Sequence, residues 1–163
     1  ARDYLCFGRP DAAVVVLDAT CLERNLNLAL QVLEITSRAV VCVNLVDEAK
    51  RKKIEVDIKA LNEQLGVPVV ATAARDGHGL DQLVEAVTGV VTGRLETSPR
   101  VIKYEDAIEE AIQKLEPQIK TLAGDAFNSR WPALRLLDRD QTVIAAMERW
   151  LAGEDALAPG WGV

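Results

Sequence analysis

The chain has 163 residues, 49% of them hydrophobic and 27% charged, with a net charge of −6. That composition excludes a disordered chain and fits one small α/β domain with a helical appendage. The densest basic run, Lys50-Arg51-Lys52-Lys53, is followed at once by Glu55 and Asp57. Against the acidic balance it argues against a nucleic-acid partner. The three cysteines, Cys6, Cys21 and Cys42, are irregularly spaced and odd in number, which speaks against a disulfide framework and for a reducing cytoplasm. With one histidine and no C-x-x-C, a zinc site has almost no ligands to draw on. No signal peptide is evident, and apolar runs such as Ala12 to Leu17 are too short to cross a bilayer. The expectation is a water-soluble piece, which leaves room for its being the soluble part of a membrane protein.

In chain order, Ala1 to Leu5 reads as the end of a helix or loop, broken by Arg9-Pro10-Asp11. Ala12 to Asp18 is a β-branched run apolar on both faces, the pattern of a buried parallel strand. Leu22, Leu26, Ala29, Leu30 and Leu33 recur at helical spacing and predict an amphipathic helix. A second strand follows over 39–45. A helix is expected from Ile54 through Leu65, stopped by Gly66, and a third strand over 67–72 with Pro68 at its start. Residues 73–79 read as a loop, with His78 an exposed loop residue, and Leu80 to Val91 as another helix. Three strand–helix units in a row predict a parallel sheet with right-handed crossovers.

The alternation then stops. Gly93 to Pro99 is a candidate linker, and Ser98-Pro99 has the chemistry of a helix opening. Val101, Tyr104, Ile108, Ala111, Ile112 and Leu115 make a helical stripe, which Pro117 ends or kinks. Arg130 to Leu137 is a second helix, and Asp140 caps a third carrying Val143, Met147, Trp150 and Leu151. Trp131 and Trp150 read as core, and Glu109-Glu110 as a solvated face. The expected division is a sheet domain over 1–93, a helical domain over 94–152 and a flexible tail over 153–163.

The strand Val40 to Leu45 delivers Asn44 and Asp47, three apart, at the C-terminal end of the sheet, where open α/β folds bind ligands. An Asp there can accept parallel hydrogen bonds from the ring N–H and exocyclic amine of guanine, while an Asn reaches the base's other edge. Adenine has no 2-amino group and an acceptor at N1, so it would leave the carboxylate unpaired. The competing reading makes Asp47 the N-cap of Glu48-Ala49-Lys50-Arg51. The small-residue turn Thr72-Ala73-Ala74 belongs beside Asn44 and Asp47, where a backbone N–H can approach a ligand closely.

Asn44-x-x-Asp47, about 25 residues before Thr72-Ala73-Ala74-Arg75, resembles the fourth and fifth guanine-recognition motifs of a translation-factor-class GTPase. Asp18-Ala19-Thr20-Cys21-Leu22-Glu23-Arg24-Asn25-Leu26, Asn44-Leu45-Val46-Asp47-Glu48-Ala49 and Arg130-Trp131-Pro132-Ala133-Leu134-Arg135-Leu136-Leu137 are similar, in that order, to segments of bacterial ferrous iron transport protein B. The resemblance covers residues 1 to about 151. It implies an α/β fold: the last three strand–helix units of a P-loop-GTPase-type parallel sheet, followed by a small all-helical domain. It implies that Asp47 holds the guanine N1 and N2 donors, and that Asn44 contacts the other edge and braces the loop. Leu45 would pack beside the base and Ala74 would offer its N–H to O6, with Thr72 and Ala73 completing the turn. Ala73 stands where the motif usually has Ser.

No G-x-x-x-x-G-K-S/T occurs in the chain, so no P-loop is present to hold the phosphates. The expectation is therefore the C-terminal part of a longer GTP-hydrolysing iron transporter at the cytoplasmic face of the bacterial inner membrane. GTP or GDP would be its ligand, Mg²⁺ would bind only in the complete protein, and this stretch alone would be inactive. Its partners would be the remainder of its own GTPase and membrane domains. The first strand would be left as an apolar edge open to strand-paired dimers. The alternative is a non-enzymatic α/β-plus-helical interaction module without nucleotide binding.

Overall fold

The computed structural model describes residues 2–124 and 128–153; the expected tail at 154–163 lies outside the described residues. The chain divides into two compact units, Asp11–Val101 in one and Ala1–Pro10 with Ile102–Val163 in the other. The sequence places that boundary at 93/94 and the N-terminus with the sheet. Two sets of contacts shift it. The N-terminal helix α1 (Arg2–Phe7) joins the helical unit: the Phe7 ring lies 6.2 Å from that of Trp150, and Arg2 donates to Thr142 Oγ1 at 2.9 Å. Residues 94–101 stay with the sheet, for reasons given below.

The sheet unit holds three parallel strands in the order β1 (Ala13–Asp18), β2 (Ala39–Asn44), β3 (Val69–Ala71). The register pairs Asp18 with Asn44 and Val43 with Ala71, so the strands end level. Central β2 is buried on both faces, with Ala39, Val40, Val41 and Val43 fully covered, as its unbroken apolar run requires. β1 carries the same kind of run but is covered on one face only: Val15 and Leu17 are buried, whereas Val14 and Val16 are 44% and 57% exposed. The two-sided burial expected of it fails because it is the edge of the described sheet.

Helix α2 (Leu22–Ile35) buries Ala29, Leu33 and Ile35 and packs on β1. After β2 comes a short helix, α3 (Val46–Arg51), and then α4 (Ile58–Leu65). α4 starts four residues later than the apolar spacing suggests, because the Asp57 carboxylate caps it by accepting from the Ala60 N–H at 2.9 Å. Gly66, at φ 70°, ends it as expected. Helix α5 (Leu80–Val91) lays Leu83, Ala86, Val87 and Val90 over Val40 and Val70.

Ser98-Pro99 does not open a helix. The Ser98 N–H donates to Gly66 O at 2.8 Å and the Arg100 N–H to Leu65 O at 3.3 Å, which straps 98–100 across the end of α4 in a non-helical path. A Cβ at Gly66 would lie 2.0 Å from Ser98 O, so the strap needs glycine there. The next helix, α6 (Asp106–Ala123), begins seven residues after Pro99 and runs through Pro117 without ending.

In the helical unit, α6 packs with α7 (Arg130–Leu137) through Ile112, Ile119, Ala133 and Leu134, with Tyr104, Leu115 and Leu136 around them. Helix α8 (Gln141–Leu151) is capped by Asp140, which accepts from the Thr142 and Val143 N–H groups, as its position in the sequence suggests. Glu109, expected on a solvated face, instead takes the Arg130 guanidinium as a two-pronged ion pair at 2.9 and 2.6 Å. The same carboxylate accepts from the Tyr104 N–H at 2.9 Å, and Arg130 also donates to Ile102 O at 3.0 Å. These four bonds clasp the entry segment of the unit.

The Arg130 fork and then the Tyr104 N–H hold the Glu109 carboxyl at about 2, against an ordinary 4.5. A depressed carboxylate stabilises the fold above its unfolded value and loses that contribution as pH falls from 4.5 toward 2. Glu109→Gln is therefore expected to lower stability at neutral pH and to flatten the acid dependence across that window. Urea unfolding followed by far-UV circular dichroism at several pH values measures both effects. An unchanged pH profile would show that the pair carries no stability.

Candidate functional site

The level ends of β2 and β3 bring Asn44 beside Thr72. The Thr72 N–H donates to Val43 O at 2.8 Å, continuing the ladder one step past β3, and Val46 N–H returns to Thr72 O at 3.2 Å. Asn44 Oδ1 accepts two hydrogen bonds, from Thr72 Oγ1 at 3.0 Å and from the Ala74 N–H at 3.1 Å. Both lone pairs of the amide oxygen are thereby used, which fixes which way the carboxamide points. Its NH₂ makes no hydrogen bond to another described residue and remains as a donor.

Behind this pair, Cys42 Sγ lies 3.2 Å from Thr72 Oγ1. Thr72 has a single hydroxyl proton, and Asn44 Oδ1 can only accept. The proton therefore goes to Asn44, and the Cys42 thiol is the donor to Thr72. Cys42, expected as a plain core residue, is buried and also completes a buried polar relay from β2 to the site.

The turn from Asn44 to Asp47 is made by Leu45 in the left-handed region, φ 63° and ψ 32°. A branched side chain there costs about 1–2 kcal/mol. Leu45 is the N-cap residue of α3 and makes no side-chain cap bond. Asp47 lies inside the first turn of the helix, so the reading of Asp47 as N-cap is overturned. Its carboxylate, 29% exposed, takes an ion pair from Arg51 one helical turn on, and Arg51 also lies 3.9 Å from Glu48.

The second wall is the loop 72–79. Ala73 and His78 exchange backbone hydrogen bonds at 3.1 and 3.3 Å, closing it around a 3₁₀ turn, Ala74–Asp76. Gly79, at φ 78°, lets the loop re-enter α5: a Cβ there would meet Ala71 O at 2.2 Å.

The sequence-derived site residues thus divide. Asn44, Leu45 and Asp47 are partly exposed at one edge, and Ala74 is exposed beside them. Thr72 and Ala73 are 0% and 4% exposed. They are the backing of the site and not its surface, since a buried strand continuation presents neither side chain to a ligand. The Ala74 N–H, expected to face a ligand carbonyl, donates to Asn44 instead. Sequence reasoning missed Arg51, Cys42 and Gly79. Of these, only Arg51 carried a signal, its i,i+4 spacing from Asp47. Among the described residues no group of three or more His, Cys, Asp and Glu side chains could hold a metal ion, and no helix is long and apolar enough to cross a membrane.

With an Asn and an Asp set three apart at the end of the central strand, the comparison with known proteins is decisive. The family described as "Ferrous iron transport protein B" matches residues 1–87, and "FeoB cytosolic helical domain" matches 104–158. The chain belongs to the ferrous iron transport protein B (FeoB) family. It is 35% identical over 144 residues to an Fe(2+) transport protein A/Fe(2+) transporter FeoB fusion protein of Porphyromonas gingivalis, covering 86% of this chain and 17% of that protein. To the Fe(2+) transporter FeoB of Escherichia coli K12 it is 29% identical, covering 86% of the chain and 18% of the relative.

Among solved structures, the cytosolic domain of the T. maritima FeoB iron transporter in a GDP form superposes with a TM-score of 0.78 at 29% identity, over 92% of this chain and 58% of that one. NFeoB from S. thermophilus bound to mGMPPNP gives 0.70 at 30%, over 94% and 61%. The chain therefore spans under a fifth of these curated FeoB relatives and about three-fifths of the solved cytosolic domains.

Gly79→Ala should destabilise the fold by more than about 1 kcal/mol, because the residue is at positive φ and its Cβ would collide with backbone. Gly77→Ala, at φ 75° with open space around it, carries only the conformational penalty and should cost less. Denaturant midpoints of the two variants compare them, and equal losses would remove the close-approach argument.

Proposed function

We propose that this chain supplies guanine-base recognition to the GTP-binding, GTP-hydrolysing cytosolic region of a bacterial ferrous iron transporter, together with that region's helical unit. One observation carries the reading. Asn44 has its oxygen saturated and its NH₂ without a hydrogen bond to another described residue, three residues before the partly exposed Asp47, at the end of the central strand. Asp47 accepts from guanine N1–H and the 2-amino group, and the Asn44 NH₂ donates to an acceptor on the base's other edge. Leu45 lies beside the ring, and O6 meets the backbone N–H of Arg75, since the Ala74 and Asp76 N–H groups are taken by Asn44 and Ala73. Adenine would set its own acceptor at N1 against the carboxylate and is rejected.

Support comes from family membership and from the GDP and GMPPNP forms of the similar cytosolic domains. The phosphate-cradling motif is not among the 163 residues, so hydrolysis, a Mg²⁺-assisted attack of water on the γ-phosphate, belongs to the longer family protein. This stretch on its own is inactive in that reading. It would work at the cytoplasmic face of the inner membrane, with its helices tuning nucleotide affinity and passing the nucleotide state toward the membrane domain that moves Fe²⁺.

The exposed Val14 and Val16 on β1 favour a second reading, an interaction module whose strand edge pairs with a second copy of the chain. Sedimentation separates the two: a nucleotide-independent dimer at micromolar concentration supports the module, and a monomer speaks against it.

In the complete transporter, Asp47→Asn should weaken GDP binding by about two to three orders of magnitude. It should also strengthen binding of xanthosine diphosphate, whose 2-carbonyl accepts from the new amide. Calorimetric titration with both nucleotides tests this, and an unchanged GDP affinity would refute the base site.

A further inference from the structure

We propose that Arg51 is a positioning residue of the base site: it fixes the plane of the Asp47 carboxylate and so sets discrimination for a 2-amino purine. The inference rests on the guanine reading and deepens it. Asp47 lies within the first turn of α3, where an acidic side chain can cap a backbone N–H, but the helix has no side-chain cap bond. The backbone does not orient this carboxylate. Arg51, one turn on, does, by donating Nη2 to Oδ2.

Two hydrogen bonds from one base edge need both carboxylate oxygens in the plane of the ring. A carboxylate free to turn about its terminal torsion keeps one bond to N1–H and weakens the one to the 2-amino group. Each carboxylate oxygen has two acceptor sites, so Oδ2 can keep Arg51 on one and take a base N–H on the other. The guanidinium is 66% exposed and Asp47 only 29%, so Arg51 holds the carboxylate from its solvent side. When a base covers Asp47 and removes its remaining water, the guanidinium also supplies a replacement for part of that hydration.

The test compares guanosine with inosine diphosphate, which lacks the 2-amino group, on the complete transporter and its variants by calorimetric titration. Arg51→Ala should lower GDP affinity about three- to fivefold, the effect of losing one largely exposed ion pair, and leave inosine diphosphate nearly unchanged, so that the ratio narrows. Arg51→Lys, which keeps the charge, should recover part of the ratio. A matching melting temperature for the variants confirms an intact fold. Equal losses for both nucleotides, or no loss for either, would overturn the proposal. Asp47→Asn, run alongside, separates the failures. If it leaves GDP binding intact, the base-site reading falls and takes this inference with it. If it abolishes binding while Arg51→Ala keeps the native ratio, only the role of Arg51 is refuted.

Discussion

The site depends on one acceptor. Asn44 Oδ1 takes the Thr72 hydroxyl and the Ala74 N–H together, and in doing so ties the end of β2 to the loop after β3. Without that oxygen the two walls would meet through backbone ladder bonds and the buried Cys42–Thr72 contact, neither of which sets the direction of the Asn44 amide. With it, the amide has one orientation, its nitrogen faces outward, and the turn at 74–76 sits at a fixed height beside it. The Cys42 thiol behind Thr72 extends the same logic into the core, since every member of the chain of donors has a defined direction.

Two positive-φ positions flank the same site. Leu45 takes a left-handed conformation that glycine would adopt freely, and a glycine there would have no side chain to lie beside a base. Gly79 closes the opposite wall at a point where no Cβ fits. The two positions solve opposite problems. One keeps a side chain at a conformational cost, and the other gives up a side chain to let two backbone segments touch.

Much of the fold was legible in the sequence because local signals agreed with the final packing: the runs of β2 and β3, the helical spacing of α2 and α5, the Gly66 stop and the Asp140 cap. Several of the misreadings share one cause, a partner distant in sequence. Ser98-Pro99 has helix-opening chemistry, yet the Ser98 and Arg100 N–H groups on either side of the proline go to Gly66 and Leu65. Glu109 looks like a surface residue because Arg130 is 21 positions away. β1 and β2 have equivalent runs that do not by themselves separate centre from edge; the edge position of β1 was expected from the family resemblance. The placement of Asn44 and Asp47 at the end of the central strand could be read from strand and spacing. That Thr72 and Ala73 stand behind the surface could not, since a turn of small residues reads alike from either side.

The complete burial of Thr72 makes core and site a single object. Any base that seats against Asn44 leans on atoms that are already part of the hydrophobic interior, so its binding energy is shared with the pairing of β2 and β3. A ligand of that kind would stabilise the folded chain with the logarithm of its concentration over its dissociation constant. In the guanine reading, nucleotide bound here would therefore add to the resistance of this sheet to unfolding.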